Sequence, residues 1–214
     1  IRLALTETNI LETQFRAMLR ASSHGPVRIL LPMVSNTSEV IKARELLKKA
    51  ATRLKRRKIT VPDPLHPLGV MIEVPGAALA ADALARHSDF FAIGSNDLTM
   101  YTLATDRANE HVAHLFDPLH PAVLRLIQFT TSAALRARIP ISICGEIAGE
   151  PRYAALLVGL GLRELSMSPA SIPRVKQRIR GMDALAAAAR ANLIMDQTDS
   201  GRIATLLDDF NALA

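Results

Sequence analysis

The chain has 214 residues, of which 49% are hydrophobic and 21% charged, and it contains one cysteine and no tryptophan. This composition is typical of an ordinary globular domain, and no apolar run approaches the roughly 18 to 20 residues that a membrane span needs. A single cysteine excludes an internal disulfide framework and suits a reducing compartment. We therefore expect a cytoplasmic protein with no membrane insertion.

The formal net charge of +6 raises the possibility of a nucleic-acid partner. Much of the excess lies in residues 53–58, a basic run that closes an amphipathic helical segment. Cations are favoured at the end of a helix by its dipole, and few aromatic residues accompany the run to stack on bases. We expect no nucleic-acid partner.

Short apolar runs alternate with helical segments along the chain. The apolar runs are centred near residues 30, 71, 91, 142 and 166. Asn36 and Glu39 form a capping-box pattern at the start of the first long helix that follows. Further helices are expected over residues 77–86, 122–138, 151–160, from 173 onward, and twice within 182–214.

Continuous apolar strands that alternate with helices indicate a parallel sheet with both faces covered, in the α/β class. Either an open doubly wound sheet or a barrel satisfies this pattern. No glycine-rich phosphate fingerprint follows the first strand, which disfavours the dinucleotide-binding version. A barrel has eight strands, so the five predicted here would form only its later portion.

Polar side chains stand at the ends of three successive predicted strands: Glu73, then Asn96 with Asp97, then Cys144. Because the carboxyl ends of parallel strands share one face of a barrel, we expect these side chains to meet. Glu73 and Asp97 offer the carboxylate oxygens that Mg²⁺ prefers, and Asn96 offers an amide donor for a phosphoryl oxygen. Arg107 adds a planar fork suited to phosphate or carboxylate.

Each of these residues also has a simpler interpretation. Glu73 would be a rim residue, and Asn96 with Asp97 would form a polar turn after glycine. Arg107 would belong to a surface ion pair with the acids near it in sequence. Cys144 would be apolar filler, the commonest role of a free cysteine. The coincidence of all these residues at successive strand ends favours the functional interpretation.

Four segments of the chain carry a resemblance to a known family. They are residues 28–40, 69–85, 90–109 and 143–176, and they include the motifs GSNDLT at 94–99 and CGE at 144–146. Together they closely resemble the phosphoenolpyruvate (PEP)-binding domain of enzyme I, the PEP–protein phosphotransferase of the bacterial sugar phosphotransferase system. The resemblance extends over nearly the whole chain. Met100 departs from it, because the family usually has glutamine there.

The resemblance implies a (β/α)8 TIM barrel of the PEP/pyruvate type, of which residues 1–214 would be a part that lacks the first strands. It implies that Glu73 and Asp97 bind Mg²⁺, and that Asn96, Asp97 and Arg107 contact PEP. It also implies that Cys144 is the catalytic residue that protonates the enolate carbon as pyruvate forms.

The same resemblance implies partners and missing parts. Arg2 matches the second arginine of a substrate-binding segment whose first arginine would precede Ile1. The histidine that accepts the phosphoryl group would lie in a separate N-terminal domain, so we expect this fragment alone to be inactive. The phosphocarrier protein HPr would receive the phosphoryl group through that domain, and a second copy would form a homodimer through this one.

Other functions remain open from the sequence. One alternative is a non-catalytic dimerisation module of the same protein. Another is a part of PEP synthase or pyruvate phosphate dikinase, which share the domain. A Mg²⁺-dependent barrel lyase such as the citrate lyase β-subunit group has a similar E-x-P-x-A pattern. That group does not account for GSNDLT together with CGEIAG.

Overall fold

A computed structural model describes residues 1–212 of the chain. Within these residues one parallel sheet has five strands in the order β1-β2-β3-β4-β5. The strands are β1 (Ile29–Leu31), β2 (Leu68–Ile72), β3 (Phe91–Gly94), β4 (Ile141–Cys144) and β5 (Glu164–Leu165). All five strands expected from the sequence are therefore confirmed, as is the α/β class.

Helices precede the first strand, connect the strands and follow the last of them. Their bounds are α1 (Arg2–Thr6), α2 (Thr8–Ala21), α3 (Thr37–Arg56), α4 (Pro75–Leu79), α5 (Ala81–Ala85), α6 (Ser95–Leu103), α7 (Pro121–Ala137), α8 (Glu146–Gly149), α9 (Pro151–Gly159), α10 (Ile172–Gly181), α11 (Ala184–Met195) and α12 (Ser200–Ala212). Short 3-10 turns lie at Ser22–His24 and Ala113–Leu115. The last two residues of the predicted C-terminal helix lie outside the described residues.

Helix α3 shows how local sequence determines an element. The Asn36 side chain accepts from the backbone N–H of Glu39 at 3.2 Å, and Glu39 Oε2 accepts from the backbone N–H of Asn36 at 3.1 Å. The predicted capping box is therefore confirmed. Val40, Leu47 and Leu54 recur at helical spacing and are buried, so this face of the helix contributes to the core.

The prediction of one alanine-rich helix over residues 77–86 is wrong, because the segment forms two short helices. It is divided at Ala80, whose backbone leaves the helical conformation (φ −95°, ψ 14°). The two halves, α4 and α5, both contact α7. Because alanine favours a helix everywhere in this segment, propensity carries no signal for the break, which tertiary packing imposes.

The two faces of the sheet differ. Alternation along the strands places Ile29, Val70, Ile72, Phe91 and Ile93 on the face that the helices cover, and all of them are buried. The opposite face is more polar and more open. It carries Arg28, Leu30, Gly69, Met71, Glu73, Phe90, Ala92, Gly94, Ser142, Cys144 and Glu164.

This second face is concave. The Arg28 guanidinium lies 4.4 Å from the centre of the Phe90 ring, and its Nη1 lies 3.9 Å from Glu164 Oε2. Arg28 precedes β1 and Glu164 begins β5, so the two outer strands of the sheet face each other. The sheet is consequently an arc of a barrel, in which side chains from alternate strands meet inside.

Candidate active site

The predicted polar residues gather at the carboxyl ends of β2, β3 and β4. Gly94 pairs with Cys144 in the β3–β4 ladder, and Ile72 pairs with Ile93 in the β2–β3 ladder. These registers place Glu73, which follows β2, beside Gly94. The structure thus brings together residues that lie far apart in the sequence, as the strand-end pattern predicts.

Glu73 is buried, with only 3% of its surface exposed. Its Oε1 accepts a hydrogen bond of 2.6 Å from the backbone N–H of Met33, two residues after the end of β1. Burial raises the pKa of the Glu73 carboxyl above its usual value; the Met33 hydrogen bond opposes this shift, and the neighbouring Asp97 adds to it. Glu73 is therefore no rim residue, because its own carboxylate is buried next to the carboxylate of Asp97.

Gly94 makes room for the Glu73 side chain. A Cβ atom at position 94 would lie 2.8 Å from Glu73 Oε2 and 2.9 Å from Glu73 Cβ, both too close for real contacts. Any larger residue at this position would push the carboxylate out of its place. Gly94, the first residue of the GSNDLT motif, is thus required because the Glu73 side chain, after the adjacent strand β2, occupies the space of a Cβ atom.

Asn96 and Asp97 lie in a helix and not in the polar loop that the sequence pattern suggests. Helix α6 begins at Ser95, directly after β3, and Asp97 stands in its first turn, where the helix dipole favours a carboxylate. The Asn96 Oδ1 atom accepts from the backbone N–H of Glu146 at 3.1 Å. This contact leaves the amide nitrogen of Asn96 as the donor for a ligand.

Gly145 is the point where the loop after β4 meets α6. Its φ is +98°, in the region that favours glycine, and a Cβ atom there would lie 2.2 Å from Ser95 Oγ. The Ser95 hydroxyl donates to the carbonyl oxygen of Cys144 at 2.6 Å. Ser95 and Gly145 therefore fix the backbone on the carboxyl side of Cys144.

Cys144 is half-buried, so it is neither simple core filler nor a surface thiol. Its Sγ atom lies 3.4 Å from the carbonyl oxygen of Ile93, which accepts the thiol hydrogen. Burial raises the pKa of the thiol, and the charges of Glu73 and Asp97 raise it further. The side chain is thus protonated at neutral pH and is a poor nucleophile but a possible proton donor.

Arg107 reaches the site from the loop between α6 and α7. Its Nη1 donates to Glu146 Oε1 at 2.6 Å, and its guanidinium lies 5.5 Å from the centre of the Phe116 ring. The ion pair is therefore made with a residue after β4 and not with the acids near Arg107 in sequence. Because Glu146 also bonds to Asn96, the arginine lies at the edge of the same cluster.

A cavity of about 720 Å³ opens beside this cluster. Its lining includes Asn96, Phe116, Gly145 and Glu146, residues of the loop after β5 such as Ser166 and Ser168, and Arg174 in the first turn of α10. Sequence reasoning assigned no role to Ser95, Phe116 or Glu146, although two of the three lie in the motifs that carry the resemblance. Their contacts cross between loops, and no local pattern records such contacts.

The donor set limits what metal the cluster would hold. Within residues 1–212, no three His, Cys, Asp or Glu side chains converge into a ready-made metal cage. Glu73 and Asp97 instead form a close pair of carboxylates whose mutual repulsion contributes to the raised pKa of Glu73. A pair of this kind suits Mg²⁺, which usually keeps waters and substrate oxygens in its shell.

Comparison with known proteins settles the family. Residues 1–184 match the family described as "PEP-utilising enzyme, PEP-binding domain". The chain belongs to this family. It is 51% identical over 179 residues to a PEP–protein phosphotransferase of Cupriavidus necator, a match covering 84% of this chain and 30% of that protein. A PEP–protein phosphotransferase of Haemophilus influenzae is 39% identical over 210 residues, covering 98% of this chain and 36% of that protein.

A multiphosphoryl transfer protein of Xanthomonas campestris is 47% identical over 181 residues, covering 84% of this chain and 21% of that protein. This chain thus spans only about a third or less of the length of these three relatives. The sequence resemblance is confirmed at the level of the domain.

Solved structures support the fold of this family member. A citrate lyase from Burkholderia xenovorans superposes with a TM-score of 0.57 at 19% identity, covering 94% of this chain and 69% of that one. Identity this low speaks for the shared α/β architecture alone. The lyase alternative therefore gains no support as a function, while the sequence match selects the PEP-binding family. No helix among residues 1–212 has the length and apolar character to cross a membrane.

Proposed function

We propose that this chain is the PEP-binding domain of an enzyme I. That enzyme transfers the phosphoryl group of PEP to a histidine, from which it serves sugar uptake, and releases pyruvate. The observation that carries the proposal is the meeting of the buried Glu73, its neighbour Asp97 and the protonated thiol of Cys144 at adjacent strand ends. A carboxylate pair suits a metal that binds phosphate, and a protonated acid nearby suits an enolate product.

Each side chain then has a role in binding. Glu73 and Asp97 would hold Mg²⁺, which supplies charge neutralisation of the phosphoryl group and of the developing enolate. Asn96 would donate its amide hydrogens to PEP, because its oxygen is already engaged by Glu146. Arg107 would use its remaining guanidinium hydrogens for PEP, because one nitrogen is held by Glu146.

The chemical step leaves one proton for this chain to supply. The bond between phosphorus and the enolic oxygen breaks, and the phosphoryl group moves to the acceptor histidine. The electron pair left on oxygen forms the carbonyl of pyruvate as the terminal carbon takes the proton of the Cys144 thiol. The resulting thiolate regains a proton from solvent, which its half-exposed position allows.

The acceptor and the partners lie outside this chain in the proposal. The relatives are about three to five times longer than the region matched, which leaves room for a histidine-bearing domain. That domain would pass the phosphoryl group to the phosphocarrier protein HPr. A homodimer through the present domain, and a cytoplasmic location, belong to the same proposal.

The direct test is Mg²⁺-dependent binding of PEP by the full-length protein, measured by calorimetry. Asp97→Ala should remove the Mg²⁺ dependence, because the metal would lose one of its two carboxylates. Asp82→Ala is the matched control, since Asp82 pairs with Arg136 on α7 and lies away from the site. Unchanged Mg²⁺-dependent binding in Asp97→Ala would refute the ligand assignment.

The proton donor has its own test. Cys144→Ala should retain binding of PEP and Mg²⁺ but lose pyruvate release in a coupled assay, because no acid of similar position remains. Normal turnover in this variant would refute the role of the thiol.

A further inference from the structure

We infer that Ser95 is a positioning residue for the Cys144 thiol, and that its hydroxyl determines how accurately the enolate carbon is protonated. The inference rests on the proposed function and extends it to a residue that neither the motif nor the family match assigns. It is carried by one buried hydrogen bond between the loop after β4 and the start of α6.

The bond is short and sheltered. Ser95 is 1% exposed, and its Oγ donates to the Cys144 carbonyl oxygen at 2.6 Å. Cys144 belongs to the last ladder pair of β3 and β4, with Gly94, and Ser95 is the residue directly after that pair. Because the regular ladder stops there, the Ser95 hydroxyl replaces the next backbone hydrogen bond and continues the attachment of the two loops.

The position of the hydroxyl is itself fixed. Thr99, which is fully buried, donates its hydroxyl to the Ser95 carbonyl oxygen at 2.7 Å. On the other side, Ser95 Oγ fills the space that a Cβ atom at Gly145 would need, 2.2 Å away. The serine is thus held between the helix and the glycine turn, with little freedom to choose another partner.

Accurate placement of the thiol follows from this arrangement. The Cys144 backbone is anchored at its carbonyl by Ser95, while its Sγ rests against the Ile93 carbonyl oxygen. Removing the hydroxyl leaves that carbonyl without its donor and frees the peptide between residues 144 and 145. Proton transfer depends steeply on the geometry of donor and acceptor, so a loosened thiol should protonate the enolate more slowly and less selectively.

The test uses the full-length protein with Ser95→Ala and Ser95→Thr. For Ser95→Ala we expect kcat for pyruvate formation to fall about tenfold while KM for PEP stays within about twofold. Ser95→Thr keeps the hydroxyl and should restore kcat to within about twofold. Ser88→Ala is the control, because Ser88 is also buried and its hydroxyl donates to the Leu84 carbonyl oxygen, away from the site.

A stereochemical readout separates positioning from general loss of structure. With PEP deuterated at one position of its terminal carbon, turnover in tritiated water yields a chiral methyl group in pyruvate. Wild type and Ser88→Ala should give one configuration in excess, and Ser95→Ala should give a largely racemic product. Preserved configuration and preserved kcat in Ser95→Ala would overturn the inference.

Two further variants keep the inference testable on its own. If Ser95→Ala fails to fold, Thr99→Val removes the support of the Ser95 backbone and should lower stereochemical purity in the same direction; an unchanged product would overturn the inference. Normal turnover in Cys144→Ala would refute the proton donor itself. Lost turnover in Cys144→Ala beside unchanged Ser95→Ala would refute only the role of Ser95.

Discussion

Strands β2 and β3 meet in two different ways at their two ends. At the amino end, Gly69 on β2 makes room for the Phe90 ring, which a Cβ atom would approach to 2.4 Å. At the carboxyl end the glycine is on β3, where Gly94 makes room for the Glu73 carboxylate. The same device therefore serves packing at one end and a buried charge at the other.

The two ends differ in what they contribute to the free energy of folding. At the amino end Arg28, Phe90 and Glu164 form a cation–π contact and an ion pair that join the outer strands. At the carboxyl end Glu73 is buried beside Asp97, and this burial, together with the neighbouring carboxylate, raises the pKa of Glu73 and so opposes its ionisation. In barrels of this class the carboxyl end carries chemistry and the amino end carries stability, and this division is visible within one pair of strands.

Glu73→Gln should produce the largest effect and should separate stability from function. The amide keeps an oxygen for the Met33 N–H but removes a buried charge beside Asp97. We expect Mg²⁺-dependent PEP binding to weaken by about 100-fold or more. The metal-free protein should be more stable by about 0.5–2 kcal/mol, measured by denaturation in the presence of a chelator. If metal-free Glu73→Gln were less stable than the metal-free wild type, the interpretation of the carboxyl end would be contradicted.

Gly69→Ala should affect only the amino end. The added methyl group collides with the buried Phe90 ring, so the free energy of unfolding should fall by about 1–3 kcal/mol. PEP affinity should stay within about twofold of wild type, because the change lies at the far end of β2. Chemical denaturation and calorimetry of the same samples would check both values. A large loss of PEP affinity in Gly69→Ala would contradict the division of roles between the two ends.

Gly94→Ala is the matched change at the carboxyl end. Its methyl group would displace the Glu73 carboxylate, so PEP affinity in the presence of Mg²⁺ should fall about tenfold. Without Mg²⁺ the variant and the wild type should bind PEP equally weakly. If Gly94→Ala and Gly69→Ala lowered affinity by the same factor, the comparison between the two ends would fail.

Arg28→Ala should have the smallest effect. The arginine is half-exposed, so loss of its contacts with Phe90 and Glu164 should cost about 0.5–1 kcal/mol of unfolding free energy. The difference from wild type should shrink at high salt, which screens the ion pair. A salt-independent loss would assign the effect to packing against Phe90 alone.

Sequence reasoning predicted the fold well because its signals are local. Apolar runs bounded by polar residues indicated every strand, and the Asn36–Glu39 pair indicated the start of α3. The break at Ala80 was missed because neighbouring alanines share one propensity and only contact with α7 distinguishes them. The start of α6 at Ser95 was missed because serine, asparagine and aspartate are as common in turns as in the first turn of a helix.

The sequence predicted that the site residues would lie together, but it did not predict their contacts. The strand-end rule brought Glu73, Asp97 and Cys144 to one face, since it depends only on strand direction. It could not indicate that Arg107 pairs with Glu146, because that contact joins two loops far apart in sequence. The same is true of the Ser95 hydroxyl, whose partner is a carbonyl oxygen on another strand.

The central claim is that the Glu73–Asp97 pair holds a metal together with PEP. Electron paramagnetic resonance with Mn²⁺ in place of Mg²⁺ measures this directly, because free and bound Mn²⁺ give distinguishable signals. In the presence of PEP the full-length protein should bind one Mn²⁺ per chain, and PEP labelled with ¹⁷O in its phosphoryl group should broaden the bound signal. Asp97→Ala should bind no Mn²⁺ at the same concentrations. Equal Mn²⁺ binding and equal broadening in wild type and Asp97→Ala would contradict the account.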